Sequence, residues 1–193
     1  MKTKNIMIVG VGGQGTVLTS RILGALTIDA GYDVKLSEIH GMAQRGGSVV
    51  TFVRYGDKVY EPIVEEGQAD VLIAFERLEA LRYAHFLKKG GAIVVNDQRI
   101  DPMSVVIGAE KYPVSIMERL ERKYKVFPVD AVEEAKKLGN SKVFNLIVLG
   151  VVAGHMDFSK EAWFHVIRNT VPESSVNINM KAFEIGYHLH EGK

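Results

Sequence analysis

The sequence predicts an α/β fold built on an open, mostly parallel sheet with helices on both faces and an added β-hairpin. Short apolar runs of strand length recur along the chain, separated by amphipathic stretches of helical period. The first run, Ile6 to Val9, meets a glycine cluster at once, and a helical pattern follows it, which reads as strand, tight turn, helix. Gly10, Gly12 and Gly15 fit the G-x-G-x-x-G spacing of a dinucleotide-binding turn, so the sheet is Rossmann-like. A β-branched, alternating run from Ser48 to Tyr55 breaks the helix–strand alternation and supplies the hairpin.

Taken in order, Leu18, Ile22, Ala25 and Leu26 fall at helical spacing after the glycines, and Gly31 closes that helix. Tyr32 to Glu38 is the next strand and completes a βαβ unit. The hairpin pairs Ser48–Tyr55 with Lys58–Tyr60 across a Gly56-Asp57 turn. Val71 to Phe75 is a buried strand, followed by a helix from about Arg77 to Leu87 that stops at Gly90-Gly91, and by a strand from Ala92 to Asn96. Asp97, at the end of that strand, is either a site acid or a turn cap. Residues 118–125 read as a solvated helix face, 125–129 as a last strand and 131–138 as a short helix. Phe144 to Gly154 is apolar on every side of a helix and must be covered by protein. Gly150 and Gly154 allow another backbone to come close, and the reading favoured is a subunit interface over this chain's own core. Ser159 caps the next helix, Pro172 ends it, and a last helix begins near Val176.

Composition narrows the function. The 193 residues suit one domain, residues 1–193, with a single sizeable core. Lys and Arg number 24 against 23 Asp and Glu, a balance that gives no support for a nucleic-acid surface. Cysteine is absent, so the chain has no thiol nucleophile and no thiolate for an iron–sulfur cluster. No apolar run approaches the roughly 18 residues of a membrane span, and the N-terminus lacks a signal-peptide pattern, so a cytoplasmic location and no membrane partner are expected.

The candidate site lies in two glycine-rich stretches. In the first, the helix opening after Gly15 aims free N–H groups at an anionic ligand, or the glycines merely pack a βα turn against a neighbouring chain. Glu38 stands about 20 residues beyond, where a ribose-binding acid lies in a dinucleotide fold. The second stretch, residues 39–47, holds His40, Gln44 and Arg45 ahead of Gly46 and Gly47. Glu38 and His40 share a face if the strand runs that far. Arg45 offers a planar cationic fork beside exposed backbone donors, or is a strut tying the loop down. No residue stands out as a catalytic base or nucleophile, and no metal ligand set is apparent.

Gly10-Val11-Gly12-Gly13-Gln14-Gly15, Gly41-Met42-Ala43-Gln44-Arg45-Gly46-Gly47, Asn145 with Leu149-Gly150, and Asn179 through Ala182-Phe183 to Gly186 span nearly the whole chain. In that combination the sequence resembles the gamma subunits of 2-oxoacid:ferredoxin oxidoreductases. Gly41-Met42-Ala43-Gln44 points to the indolepyruvate-type branch. The resemblance implies a subunit that is inactive alone. A large (alpha) partner subunit would carry thiamine diphosphate and the iron–sulfur clusters and pass electrons to ferredoxin, with CoA taken up in the complex and no cofactor held by this chain by itself. It further implies that Gly10, Gly12, Gly13, Gln14 and Gly15, with Arg45, Gly46 and Gly47, face that partner near the active centre and position a loop or an anionic group of CoA; Glu38, His40 and Gln44 complete the candidate cofactor-binding residues. Two other readings stand beside it: a self-contained NAD(P)-binding dehydrogenase, and a Rossmann-like module kept only for assembly.

Overall fold

The computed structural model describes residues 2–41 and 46–191. Six strands form one sheet in the order β2-β3-β1-β4-β5-β6. They are β1 Lys4–Val11, β2 Asp33–His40, β3 Ser48–Gly56, β4 Ala69–Ala74, β5 Leu87–Asn96 and β6 Lys125–Val129. β1, β4, β5 and β6 run parallel to one another, while β3 is antiparallel to both β1 and β2. The sheet is therefore mostly parallel with one antiparallel hairpin, as the patterning predicts.

The hairpin has a different partner from the one the sequence suggests. Lys58–Tyr60 forms no strand; β3 pairs instead with β2, in a register running from Asp33 opposite Gly56 to His40 opposite Val49. The connection through residues 41–47 is too short for a parallel crossover, so the chain folds straight back. β3 then slots in beside β1, and the β1–helix–β2 unit skips one strand position. The 58–60 segment is held by a side chain, the Val59 N–H donating to the Asp33 carboxylate at 2.9 Å.

Eight helices lie among the described residues: α1 Thr16–Asp29, α2 Arg77–Tyr83, α3 Met103–Val106, α4 Ile116–Glu121, α5 Ala131–Lys137, α6 Phe144–Ala153, α7 Lys160–Thr170 and α8 Val176–Glu191. Alternation along β1 divides the core. Ile6 and Ile8 point to one face, under α1, α5, α6, α7 and α8; Met7 and Val9 point to the other, under α2 and α4. The boundary between α2 and β5 differs from expectation: α2 ends at Tyr83, and β5 already begins at Leu87, with an irregularity in its pairing to β4 between Ala69 and Val71.

The larger correction concerns α6. Asn145 to Ala153 are all buried within this one chain, so the helix is internal core and the subunit-interface reading fails. Its cover is α8. A side chain on Gly150 would strike the Phe183 carbonyl oxygen, and one on Gly186 would strike that of Ile147. Two helix backbones meet at paired glycines, and Asn179, Ala182, Phe183 and Gly186 form the matching stripe on α8. Ser159 caps α7 as expected, accepting from the Ala162 N–H at 3.3 Å.

Candidate functional site

The topological switch lies between β1 and β4, because the chain leaves β1 toward β2 and later returns to build β4, β5 and β6 on the other side. Ligands gather outside the carboxyl ends of strands at such a point. Here that place is the glycine turn. Gly13 sits at φ 100° and Gly15 at φ 87°, conformations that other residues adopt with strain. Nothing lies within 4 Å of where a Gly13 side chain would be, so the crown of the turn is open; Gly15 is closed over by the Asn145 amide at the start of α6.

Gln14 holds the turn from inside. Its side-chain oxygen accepts from the Val11 N–H at 2.7 Å, and its Nε2 donates to the Phe75 carbonyl at 3.0 Å and to Gln98 Oε1 at 3.3 Å. Asn96 Nδ2 donates to the same two oxygens, each at 3.1 Å. These three amides stitch together the carboxyl ends of β1, β4 and β5. Asp97, by contrast, pairs its carboxylate with Arg77 and gives its N–H to the Val129 carbonyl at 2.8 Å, so its side chain is tied to a neighbouring guanidinium.

The two glycine-rich stretches come together. The Gly12 N–H donates to the Gly47 carbonyl at 2.9 Å. A cavity of about 190 Å³ beside the glycine turn is lined by Gly12, Gly13, Thr16, Glu38 and His40. β2 does run to His40, so Glu38 and His40 share a face as expected; both are exposed. The inserted β3 places Glu38 two strand positions from β1, about 10 Å, where an ordinary dinucleotide fold has one. On the other flank of Gly13 a larger cavity, about 510 Å³, is lined by Gly13, Gly15, Leu18, Gln98, Lys142 and Asn145. Gly46, at φ 80°, and Gly47 line a third, of about 140 Å³. Gln44 and Arg45 lie outside the described residues.

Sequence patterning passed over several residues here. Lys142, the Gln98–Asn96 amide pair and Glu79 carry no local motif; each reaches the site through tertiary packing. Glu79 is 3% exposed, and burial pushes its carboxyl above the usual range, against the opposing effects of its hydrogen bond from Ser48 and the charge of Arg82. Among the described residues no group of three or more His, Cys, Asp or Glu could hold a metal ion. No helix of the described residues is long and apolar enough to cross a membrane.

An open α/β sheet with a glycine turn at its switch point, bonded to the start of β3 through Gly12 and Gly47, defines a Rossmann-like domain. The chain belongs to the pyruvate ferredoxin/flavodoxin oxidoreductase family, whose sequence pattern matches residues 5–189. It is 43% identical over 192 residues to the indolepyruvate oxidoreductase subunit IorB of Pyrococcus horikoshii, covering 96% of this chain and 95% of that one. The IorB subunit of Archaeoglobus fulgidus is 44% identical over 189 residues, covering 95% and 94%. Among solved structures, the gamma subunit of a keto/oxoacid ferredoxin oxidoreductase from Geobacter sulfurreducens superposes with a TM-score of 0.74 at 26% identity, covering 98% and 99%. The same fold makes up 32% of a longer chain in the 2-oxoglutarate:ferredoxin oxidoreductase of Magnetococcus marinus, with a TM-score of 0.74 at 20% identity.

Proposed function

We propose that this chain is the small subunit of an indolepyruvate-type 2-oxoacid ferredoxin oxidoreductase and works with a large partner subunit in the cytoplasm. In that complex the partner's thiamine diphosphate would supply the decarboxylation chemistry, and its clusters would carry electrons to ferredoxin. The absence of cysteine from this chain fits that division of labour. The observation that carries the reading is the full-length likeness to IorB subunits, and the Gly12–Gly47 hydrogen bond joins the two glycine stretches at the switch point.

The chain's own contribution is to bind and orient. The N-terminal N–H groups of α1 and the Lys142 ammonium offer positive charge around the open Gly13, suited to an anionic group of CoA. Arg45, from the adjoining loop, would add a planar fork to the same anion. The NAD(P)-dehydrogenase reading has less behind it, because the relatives that match along the whole chain are subunits of oxoacid oxidoreductases, although Glu38 does line the cavity beside the turn. The test uses the assembled complex carrying Arg45→Ala or Arg45→Lys, with CoA and oxoacid varied separately. Loss of a charge-assisted bond costs ~1.5–3 kcal/mol, so Arg45→Ala should raise the CoA Michaelis constant roughly ten- to hundredfold, with partial recovery in Arg45→Lys. Parental kinetics in both variants would make Arg45 a loop strut and refute this role.

A further inference from the structure

Gly46 and Gly47 lead from the second glycine stretch into β3. Nothing lies within 4 Å of where a Gly46 side chain would be, and Gly47 is fixed through its carbonyl to Gly12. The next anchor is Ser48, the first residue of β3. Three side chains of α2 converge there. The Ser48 hydroxyl donates to Glu79 Oε2 and lies 3.3 Å from the Tyr83 hydroxyl, while Arg82 Nη1 donates to Glu79 Oε1 at 2.8 Å. α2 follows β4, so this contact reaches from β3 over β1 to the far side of the switch point. The 140 Å³ cavity adjoins this contact and is lined by Gly46, Gly47, Ser48, Glu76, Glu79 and Arg82.

We propose that Glu79 is a positioning residue, holding the Gly46–Ser48 segment against the glycine turn through the Ser48 hydroxyl. A carboxylate is a poor choice for stability at this place. Leu78 and Ala80 on either side belong to the apolar core, and an ion here must be desolvated beside a second buried carboxylate, Glu76. Burial outweighs the favourable partners, as the upward shift of its carboxyl indicates. Glu76 serves a different purpose, capping α2 by accepting from the Glu79 N–H at 2.9 Å and receiving the Tyr112 hydroxyl at 2.7 Å. Beyond its pair with Arg82 on the same helix, what Glu79 adds is the grip on Ser48 across the sheet. Its kinetic consequence rests on the reading of this surface as the CoA-facing one.

The experiment compares Glu79→Leu, Glu79→Gln, Ser48→Ala and the Glu79→Leu/Ser48→Ala double variant in the full chain and in the assembled complex. Amide hydrogen exchange of Gly12 and residues 46–49 reads the loop directly. Glu79→Leu and Ser48→Ala should each speed that exchange about tenfold, and the double variant should be no faster than either, since one contact is cut from both ends. Glu79→Gln should stay near the parent, because its amide can donate to Ser48 and still accept from Arg82. In the complex the first two variants should raise the CoA Michaelis constant with little change for the oxoacid. Unchanged exchange in Ser48→Ala, or Glu79→Gln opening the loop as far as Glu79→Leu, would overturn the proposal. Faster exchange with parental CoA kinetics would uphold the grip and refute the CoA-facing reading instead. Should Glu79→Leu fail to fold, Ser48→Ala and Glu79→Gln decide the matter.

Discussion

Gly150→Ala is a severe test of how α6 and α8 meet. In an exposed helix the change would stabilise by ~1 kcal/mol through helix propensity. Here the added carbon falls on the Phe183 carbonyl oxygen, 2.7 Å from the Tyr187 nitrogen and 2.9 Å from the Gly186 carbonyl carbon. All three are backbone atoms of α8, and no side-chain rotation relieves them. Ordinary contact requires α8 to withdraw by roughly 1 Å, and helices packed to interior density do not yield that freely. Overpacking against unyielding backbone costs ~2–3 kcal/mol, the upper part of the usual range, and leaves a net loss of ~1–2 kcal/mol after the propensity gain. At roughly 2–4 °C per kcal/mol for a chain of this size, the melting temperature should drop by about 2–8 °C. Thermal unfolding by circular dichroism measures it, with Gly41→Ala as control: that position is open, has no positive φ, and should change stability by less than ~0.5 kcal/mol. A Gly150→Ala melting temperature at or above the parent's would refute the backbone-to-backbone packing. Failure to join the partner subunit at unchanged melting temperature would return α6 to an interface.

Two further outcomes are expected. Burial first, then the neighbouring charges of His190 and Lys125, depress His155 to about 4 from 6.5, so between those values the unfolded chain binds a proton that the folded chain refuses. Stability should therefore fall as pH drops from about 7 toward 4, by at most about 3 kcal/mol, and His155→Phe should flatten that slope in denaturant titrations; equal slopes would contradict the assignment. Gln14→Leu should destabilise by ~1–3 kcal/mol, because the Val11 N–H loses its acceptor, and a melting temperature equal to the parent's would show that the side chain does not hold the turn.

The sequence revealed most where local chemistry decides the structure. The strand, glycine turn and helix from Lys4 to Asp29 follow from periodicity and glycine spacing alone. The hairpin misreading has a physical cause: Gly56-Asp57 is a strong turn signal, yet Lys58–Tyr60 is too short to compete with β2 for the edge of β3. All-round apolarity in α6 demanded a cover without saying which, and the answer, α8, lies some thirty residues downstream. Within the site, the meeting of Gly12 with Gly47 was implicit in two motifs in one chain. The grip of Glu79 on Ser48 was not legible, since an acid in the first turn of a short helix is ordinarily a solvated one.

The insertion of β3 between β1 and β2 also constrains the order in which the chain can be assembled. As it emerges from the ribosome, β1, α1 and β2 come first, yet β1 and β2 never touch: each waits for the same strand to bond both of its neighbours. Until residue 56 is available, two strands stand with unfilled edges, and native pairing cannot begin from the N-terminus by itself. The β2–β3 hairpin is local in sequence and can close first, then dock on β1 as a preformed ribbon. Gly47, which bonds Gly12 across the two glycine stretches, thus also stands at the entry to that ribbon's second strand, so a substitution there acts on the yield of folded chain as well as on the finished surface.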